Sequence, residues 1–170
     1  MPPSVVSEVA SNDFRQAMRE LAGAITVVTV ADAQERTGFV ATSVSSFSAD
    51  PPRIIVCLGR TSSSWSALNR VGLFGVNFLR EVDSPVASRF AGFNGVKGSD
   101  RYLGAEWITL PSGVLVLNNA LASLECVVEE TLHRHDHSII LGRIESIRLC
   151  EGNDPLLWFK SQYHRLGDSI

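Results

Sequence analysis

The chain has 170 residues, 45% of them hydrophobic and 19% charged, with a formal net charge of −3. That length suits one domain with a sizeable core. The acidic balance argues against a nucleic-acid surface and gives no support for binding an anionic membrane. No apolar run approaches the roughly 18–20 residues of a membrane helix, and the opening "MPPSVVSEVASNDF" lacks the basic start and apolar core of a secretory signal.

A helix is expected first. Asn12 or Asp13 caps it, Phe14, Met18 and Leu21 repeat at helical spacing, and Gly23 stops it. "AITVVTVA" is rich in β-branched residues and reads as a strand. "QERTG" turns the chain, and "FVATSVSSFS" continues as strand or extended loop. Pro51 and Pro52 then forbid a helix. "RIIVCL" reads as a buried strand, "SSSWSALNR" as a brief helix with a serine cap, and "LFGVNFL" as a strand. Ser84 followed by Pro85 marks the start of another short helix. Residues 92–113 hold five glycines and one proline and read as a long loop. "VLVLNNALASLECVVEE" gives one or two strands, "SIILGRIESIRLC" another, and "PLLWFKSQYHRL" a terminal aromatic segment. Strands dominate without βαβ alternation, so a closed or half-closed antiparallel barrel is expected.

The cysteines Cys57, Cys126 and Cys150 are far apart, odd in number and set in apolar runs. They make neither a disulfide framework nor a CxxC motif and read as free buried thiols of a cytoplasmic protein.

GxGxxG is absent, and in "GFNGVKGSD" Lys97 precedes its glycine, so this is no P-loop. No Gly-x-Ser-x-Gly elbow supports a hydrolase triad. Three stretches remain. "ATSVSSFS" gathers Thr42, Ser43, Ser45, Ser46 and Ser48 around Val44. Small hydroxyl residues leave backbone N–H groups accessible and add donors, which suits the edge of a planar heterocycle and equally suits a plain turn. "CLGRTSSSW" places Arg60, Thr61, Ser62, Ser63 and Ser64 between a strand and a helix, a setting shared by phosphate sites and ordinary caps. "HRHDHSII" sets His133, His135 and His137 at alternating positions, on one face if the strand runs through them. A zinc site would need further ligands, and no cysteine or second histidine pair stands nearby, so no metal is expected.

These segments occur together in one family. "AITVVTV", "GFVATSVSSFSADPPRIIVCLGRTSSS", "FGVNFL", "ALASLEC", "HDHSIILGRI" and "PLLWFKSQY", in that order, resemble the short NAD(P)H:flavin oxidoreductases of the flavin reductase-like, FMN-binding split-barrel group. The resemblance spans residues 13–166 as one domain, with tails at 1–12 and 167–170. It implies a mainly β fold, a six-stranded antiparallel Greek-key split barrel with a few short helices, forming a homodimer. It implies FMN or FAD as flavin and NADH or NADPH as hydride donor. By this likeness, Thr42, Ser43, Val44, Ser45 and Ser46 line the isoalloxazine edge. Cys57, Leu58, Gly59, Arg60, Ser62, Ser63 and Ser64 run from the ring toward the phosphate, with Ser62 and Ser63 as its donors. Phe90 and Ala91 lie beside the flavin, and Tyr163 and His137 face the nicotinamide. Reduced flavin would pass to a partner monooxygenase. Relatives that reduce a cobalt corrin, of the cob(II)yrinic acid a,c-diamide reductase type, and flavin-binding barrels without activity are the alternatives. His135 departs from the pattern, because the family keeps glycine before Asp-His.

Overall fold

The structure, a computed structural model, describes residues 9–32, 34–151 and 154–167. Of the expected tails, residues 1–8 and 168–170 lie outside the described residues. The first helix, α1 (Ser11–Arg19), has Ala10 at its N-cap, two residues before the first of the expected caps, with no side-chain cap bond. Its helical spacing is real, yet Phe14, Met18 and the following Leu21 are exposed on the single chain.

A short strand β1 (Gly23–Ala24) precedes β2 (Thr26–Ala31). The apolar run of β2 does not alternate because both of its faces are covered. Val28 and Val30 enter one core cluster with Phe39, Val56, Phe74, Leu124 and Ile140. Val27 enters a second with Leu79, Phe90, Tyr102 and Leu117. The chain turns at Asp32, whose carboxylate accepts the N–H groups of Gln34 and Glu35, both at 2.8 Å. Strand β3 (Arg36–Ala41) therefore starts inside the "QERTG" expected to be the turn. The serine-rich stretch breaks at Thr42–Val44 and resumes as β4 (Ser45–Ala49), which pairs with β5 (Pro52–Gly59).

Helix α2 (Trp65–Val71) leads to β6 (Leu73–Phe78), and α3 (Ser84–Phe90) follows with Asp83, not Ser84, at its N-cap. The expected long loop is partly ordered. It contains a 3-10 turn over Gly98–Tyr102 and a strand β7 (Trp107–Thr109) paired with β8 (Leu115–Leu117). Two strands of 13 residues, β9 (Ala122–Arg134) and β10 (His137–Leu149), form the longest hairpin. Register shifts at Leu141/Gly142 and Ile144/Ser146 mark irregularities of the kind that bend and twist a strand pair.

The main sheet is wholly antiparallel and runs β3-β2-β6-β9-β10-β5-β4. It has seven strands where six were expected, because β4 breaks away from β3 and pairs along the far edge. The terminal aromatic segment is a hairpin, β11 (Leu157–Phe159) and β12 (Gln162–His164), joined to β1 in a small second sheet. Asn77 sits at the centre of the fold. Its amide donates to Val27 O at 3.0 Å and accepts from Leu117 N–H at 2.7 Å and Ser123 Oγ at 3.0 Å, fastening β8 to the sheet. Of the cysteines, only Cys126 is buried, and burial pushes its thiol up to about 12; Cys57 is half-buried and Cys150 exposed. Among the described residues no helix is long and apolar enough to cross a membrane.

Candidate functional site

The break between β3 and β4 puts small polar residues at the surface. Thr42 and Ser43 are exposed, while Val44 leans on the core. Ser43 Oγ donates to Cys57 O at 3.3 Å and accepts from Cys57 N–H at 3.2 Å, tying the break to the middle of β5. Ser45 and Ser46 stand opposite Ile55 and Ile54 and remain exposed. Leu58 turns its side chain into the core, so only its backbone is available to a ligand here.

Thr42 also opens onto a cavity of about 250 Å³, where it meets Val40, Ala91, Phe93, Trp158 and Tyr163. Residues 42, 91 and 163 are far apart in sequence and converge only because the terminal hairpin folds back over the sheet edge. That hairpin turns through Lys160 and Ser161, both at positive φ (49° and 63°), the conformation of a tight two-residue turn. Tyr163 is fixed by a 3.1 Å hydrogen bond between its hydroxyl and Ser88 Oγ, and its ring meets Trp158 edge-on at 5.2 Å. Phe90 is not at the cavity wall. It is buried against Tyr102 and Trp107, and Gly38 lacks a side chain where the Phe90 ring packs. A larger, more polar concavity of about 500 Å³ beside Arg80, Glu106 and Asn118 gathers none of the expected residues.

The histidine patch is a hairpin turn, not a strand face. His133 is the second-last residue of β9 and His137 the first of β10. His133 pairs with Ser138 and His137 with Arg134, so the two imidazoles leave opposite faces of the hairpin. His135 occupies the turn at φ +51°, which is where a glycine costs least. Among the described residues no group of three metal-ligating side chains forms. His137 Nδ1–H donates to the Asp136 carboxylate at 2.9 Å, and that bond holds the Asp136 carboxyl below the usual range. The imidazole stands next to Gly59, and the Arg60 amide donates to Asp136 O at 2.8 Å, so the turn is locked onto the end of β5. His133 shares a 2.9 Å hydrogen bond with Ser138 Oγ and stands edge-on to Trp65.

The loop between β5 and α2 is differentiated. Arg60 and Ser63 are exposed and Ser62 half-buried, whereas Ser64 is fully buried and donates to Gly38 O at 2.8 Å. Ser64 is the N-cap of α2 without a capping side-chain bond. Sequence reasoning gave no role to Arg101. Here it is buried under this loop, donating to Thr37 Oγ1, Gly38 O, Ser64 Oγ and Ser63 Oγ. Its sequence signal was only a cation inside a glycine-rich stretch. Tyr102 beside it donates to Thr37 O at 2.5 Å, and burial raises its phenol above the ordinary range.

A narrow apolar and aromatic cavity, edged by hydroxyls and backbone groups, suits a flat polar heterocycle. The fold is thus an antiparallel β architecture that carries a cavity suited to such a ligand. A family model described as the flavin reductase like domain matches residues 18–167, and the chain belongs to that family. It is similar to the FMN reductase (NADH) RutF of Bradyrhizobium diazoefficiens, 32% identical over 95% of this chain and 89% of that protein. It is 31% identical to the reductase subunit HsaB of a flavin-dependent monooxygenase from Rhodococcus jostii, over 88% of this chain and 75% of that one. The crystal structure of a flavin reductase domain protein from Arthrobacter sp. FB24 superposes with a TM-score of 0.86 at 27% identity, covering 95% of this chain and 98% of that one. The fold is therefore the split barrel of the flavin reductases.

Proposed function

We propose that the chain is an NADH-dependent flavin reductase that hands reduced flavin to a partner monooxygenase. The observation that carries the reading is the convergence of Thr42, Ala91 and Tyr163 on one cavity. The bound cofactors supply the redox chemistry, a hydride passing from nicotinamide to flavin. The protein's part is orientation. Thr42, Ser43, Ser45 and Ser46 offer hydroxyl and backbone donors along the ring edge, where they favour negative charge on the reduced ring. Cys57, Gly59 and Arg60 continue that edge toward Ser62 and Ser63, which hold the phosphate. Ala91 and Tyr163 wall the slot, and Trp158 and Phe93 exclude water from it. His137, fixed through Nδ1 by Asp136, keeps Nε2 free to position the nicotinamide.

The functional unit is a homodimer, which would cover the apolar side chains Phe14, Met18 and Leu21 that the single chain leaves exposed. A cytoplasmic location fits its three unpaired cysteines. The similarity to a monooxygenase reductase subunit favours a monooxygenase as acceptor over a cobalt corrin.

Mixing purified protein with NADH and FMN, then FAD, tests the reading through loss of the nicotinamide absorbance. Flavin-dependent loss is expected; bound flavin with no NADH oxidation would make the barrel a flavin store instead. In His137→Ala, kcat/KM for NADH should fall on the order of 10–100-fold through lost positioning, with flavin affinity nearly unchanged. An unchanged NADH rate would remove His137 from the site.

A further inference from the structure

The terminal hairpin walls the cavity, yet its two strands are held very differently. β11 pairs with β1, setting Trp158 opposite Gly23 and Leu157 opposite Ala24. Just before it, the Leu156 carbonyl accepts the Ile25 N–H, and the Leu156 N–H donates to Leu79 O, both at 2.9 Å. The hairpin turn is tied to α1: the Lys160 N–H donates to Arg19 O at 3.1 Å, and the Lys160 ammonium lies 3.3 Å from the Glu20 carboxylate. β12 is the outer strand of the sheet β1-β11-β12 and pairs with β11 alone. Among the described residues, its one hydrogen bond outside the hairpin joins Tyr163 Oη to Ser88 Oγ, at 3.1 Å.

That bond ends in the cavity wall. Trp158 and Tyr163 are cross-strand partners, so their rings leave one face of the hairpin, and both line the cavity. Trp158 is fixed by strand pairing on both sides. Tyr163 has a paired strand on one side only, and its ring packs against the second core cluster while its hydroxyl reaches α3. Ser88 precedes Ala91 by three positions, a spacing that sets two residues on one side of a helix, and Ala91 also lines the cavity. α3 thus supplies one wall and the fastening of another. A neutral hydrogen bond of this kind adds modestly to stability. Its larger consequence is orientation: without it the Tyr163 ring can tilt, while the other walls stay in place.

We propose that Ser88 is a positioning residue for the hydride transfer: it holds Tyr163, and with it one wall of the cavity, at the angle that aligns the bound ring. This rests on the flavin reductase reading. Ser88 acts through Tyr163 and needs no contact with a ligand of its own. When the bond is lost, Ile25, Val40, Thr42, Ala91 and Trp158 still enclose a ring, so binding survives. Alignment, on which the rate of transfer depends, does not.

The test combines three measurements on the full chain: single-turnover reduction of FMN by NADH, FMN Kd from flavin fluorescence, and hydrogen exchange of the ligand-free protein. Ser88→Ala should slow the single-turnover rate about 3–10-fold, the worth of one hydrogen bond, and change the FMN Kd by less than about twofold. Tyr163→Phe removes the same bond from its other end and keeps the ring, so it should match Ser88→Ala, and the double variant should be no slower than either. Ser88→Thr keeps a hydroxyl and should recover most of the rate. The amides of residues 162–164 should exchange faster in Ser88→Ala and in Tyr163→Phe. A Ser88→Ala variant that loses Tm but keeps the wild-type rate overturns the proposal, by leaving Ser88 a structural role alone. Tyr163→Phe far slower than Ser88→Ala, or a double variant with additive losses, also overturns it, by giving the phenol its own contact with the ligand. A wild type that does not oxidise NADH with any flavin refutes the reductase reading, while hydrogen exchange still judges the fastening of Tyr163 by Ser88.

Discussion

His135→Gly should stabilise the protein, which is unusual for a substitution in a turn next to a functional histidine. His135 holds φ +51° between β9 and β10, and its side chain is exposed. An L-residue in that left-handed region is disfavoured by roughly 1–2 kcal/mol, because Cβ crowds the following carbonyl. Glycine removes that term but has a freer unfolded chain, which takes back about 0.4–1 kcal/mol. The net gain is about 0.5–1 kcal/mol, and for a chain of this size each kcal/mol moves Tm by about 2–4 °C. His135→Ala is the control: it deletes the imidazole, keeps Cβ and should be neutral or destabilising. Thermal melts and urea titrations of the three proteins under one buffer measure the difference. A destabilised glycine variant, or an alanine variant as stable as the glycine one, would refute the backbone argument and assign the imidazole a stabilising contact of its own.

Asn77→Ala strips partners from Val27 O, the Leu117 amide and the Ser123 hydroxyl in a buried site, and should cost about 2–4 kcal/mol, read as a lower urea midpoint. A loss under half a kcal/mol would mean that water or a neighbour replaces the amide. Asp32 contributes to the acid limb of stability. Its folded pKa lies below 3.8, first because Gln34 and Glu35 N–H groups bond to it and then through Arg70. Its contribution is therefore present above the unfolded value and lost as pH falls from about 4 through the lower folded value. Asp32→Asn should flatten the urea midpoint's dependence on pH in that window and leave its slope near neutrality unchanged; an unaltered acid limb would exclude Asp32 as a contributor.

The parts of the site that were legible in the sequence are those whose chemistry is local. "ATSVSSFS" and "CLGRTSSS" announce small donors next to strand ends, and the structure leaves Thr42, Ser43, Ser45, Ser46, Arg60 and Ser63 exposed, with Ser43 bonded to Cys57, while Ser64 is buried. Periodicity misled where the chain turned. Three alternating histidines share a face only on an uninterrupted strand, and the reversal at His135 and Asp136 puts His133 and His137 on opposite faces. Arg101 was hidden for a different reason. A cation in a glycine-rich stretch reads as solvated, and only its burial beneath Ser63 and Gly38 gives it electrostatic weight.

The sequence by itself determined the mainly β character, the short helices and the donor-rich segments, because β-branching, proline and glycine act on the backbone within a few residues. Only the tertiary structure decided the seventh strand, the outward apolar stripe of α1, and the cavity that Thr42, Ala91 and Tyr163 share. Those depend on which strand edges meet and which face remains covered. They are set by hydrogen bonds and packing between segments many tens of residues apart, and no local pattern carries that information.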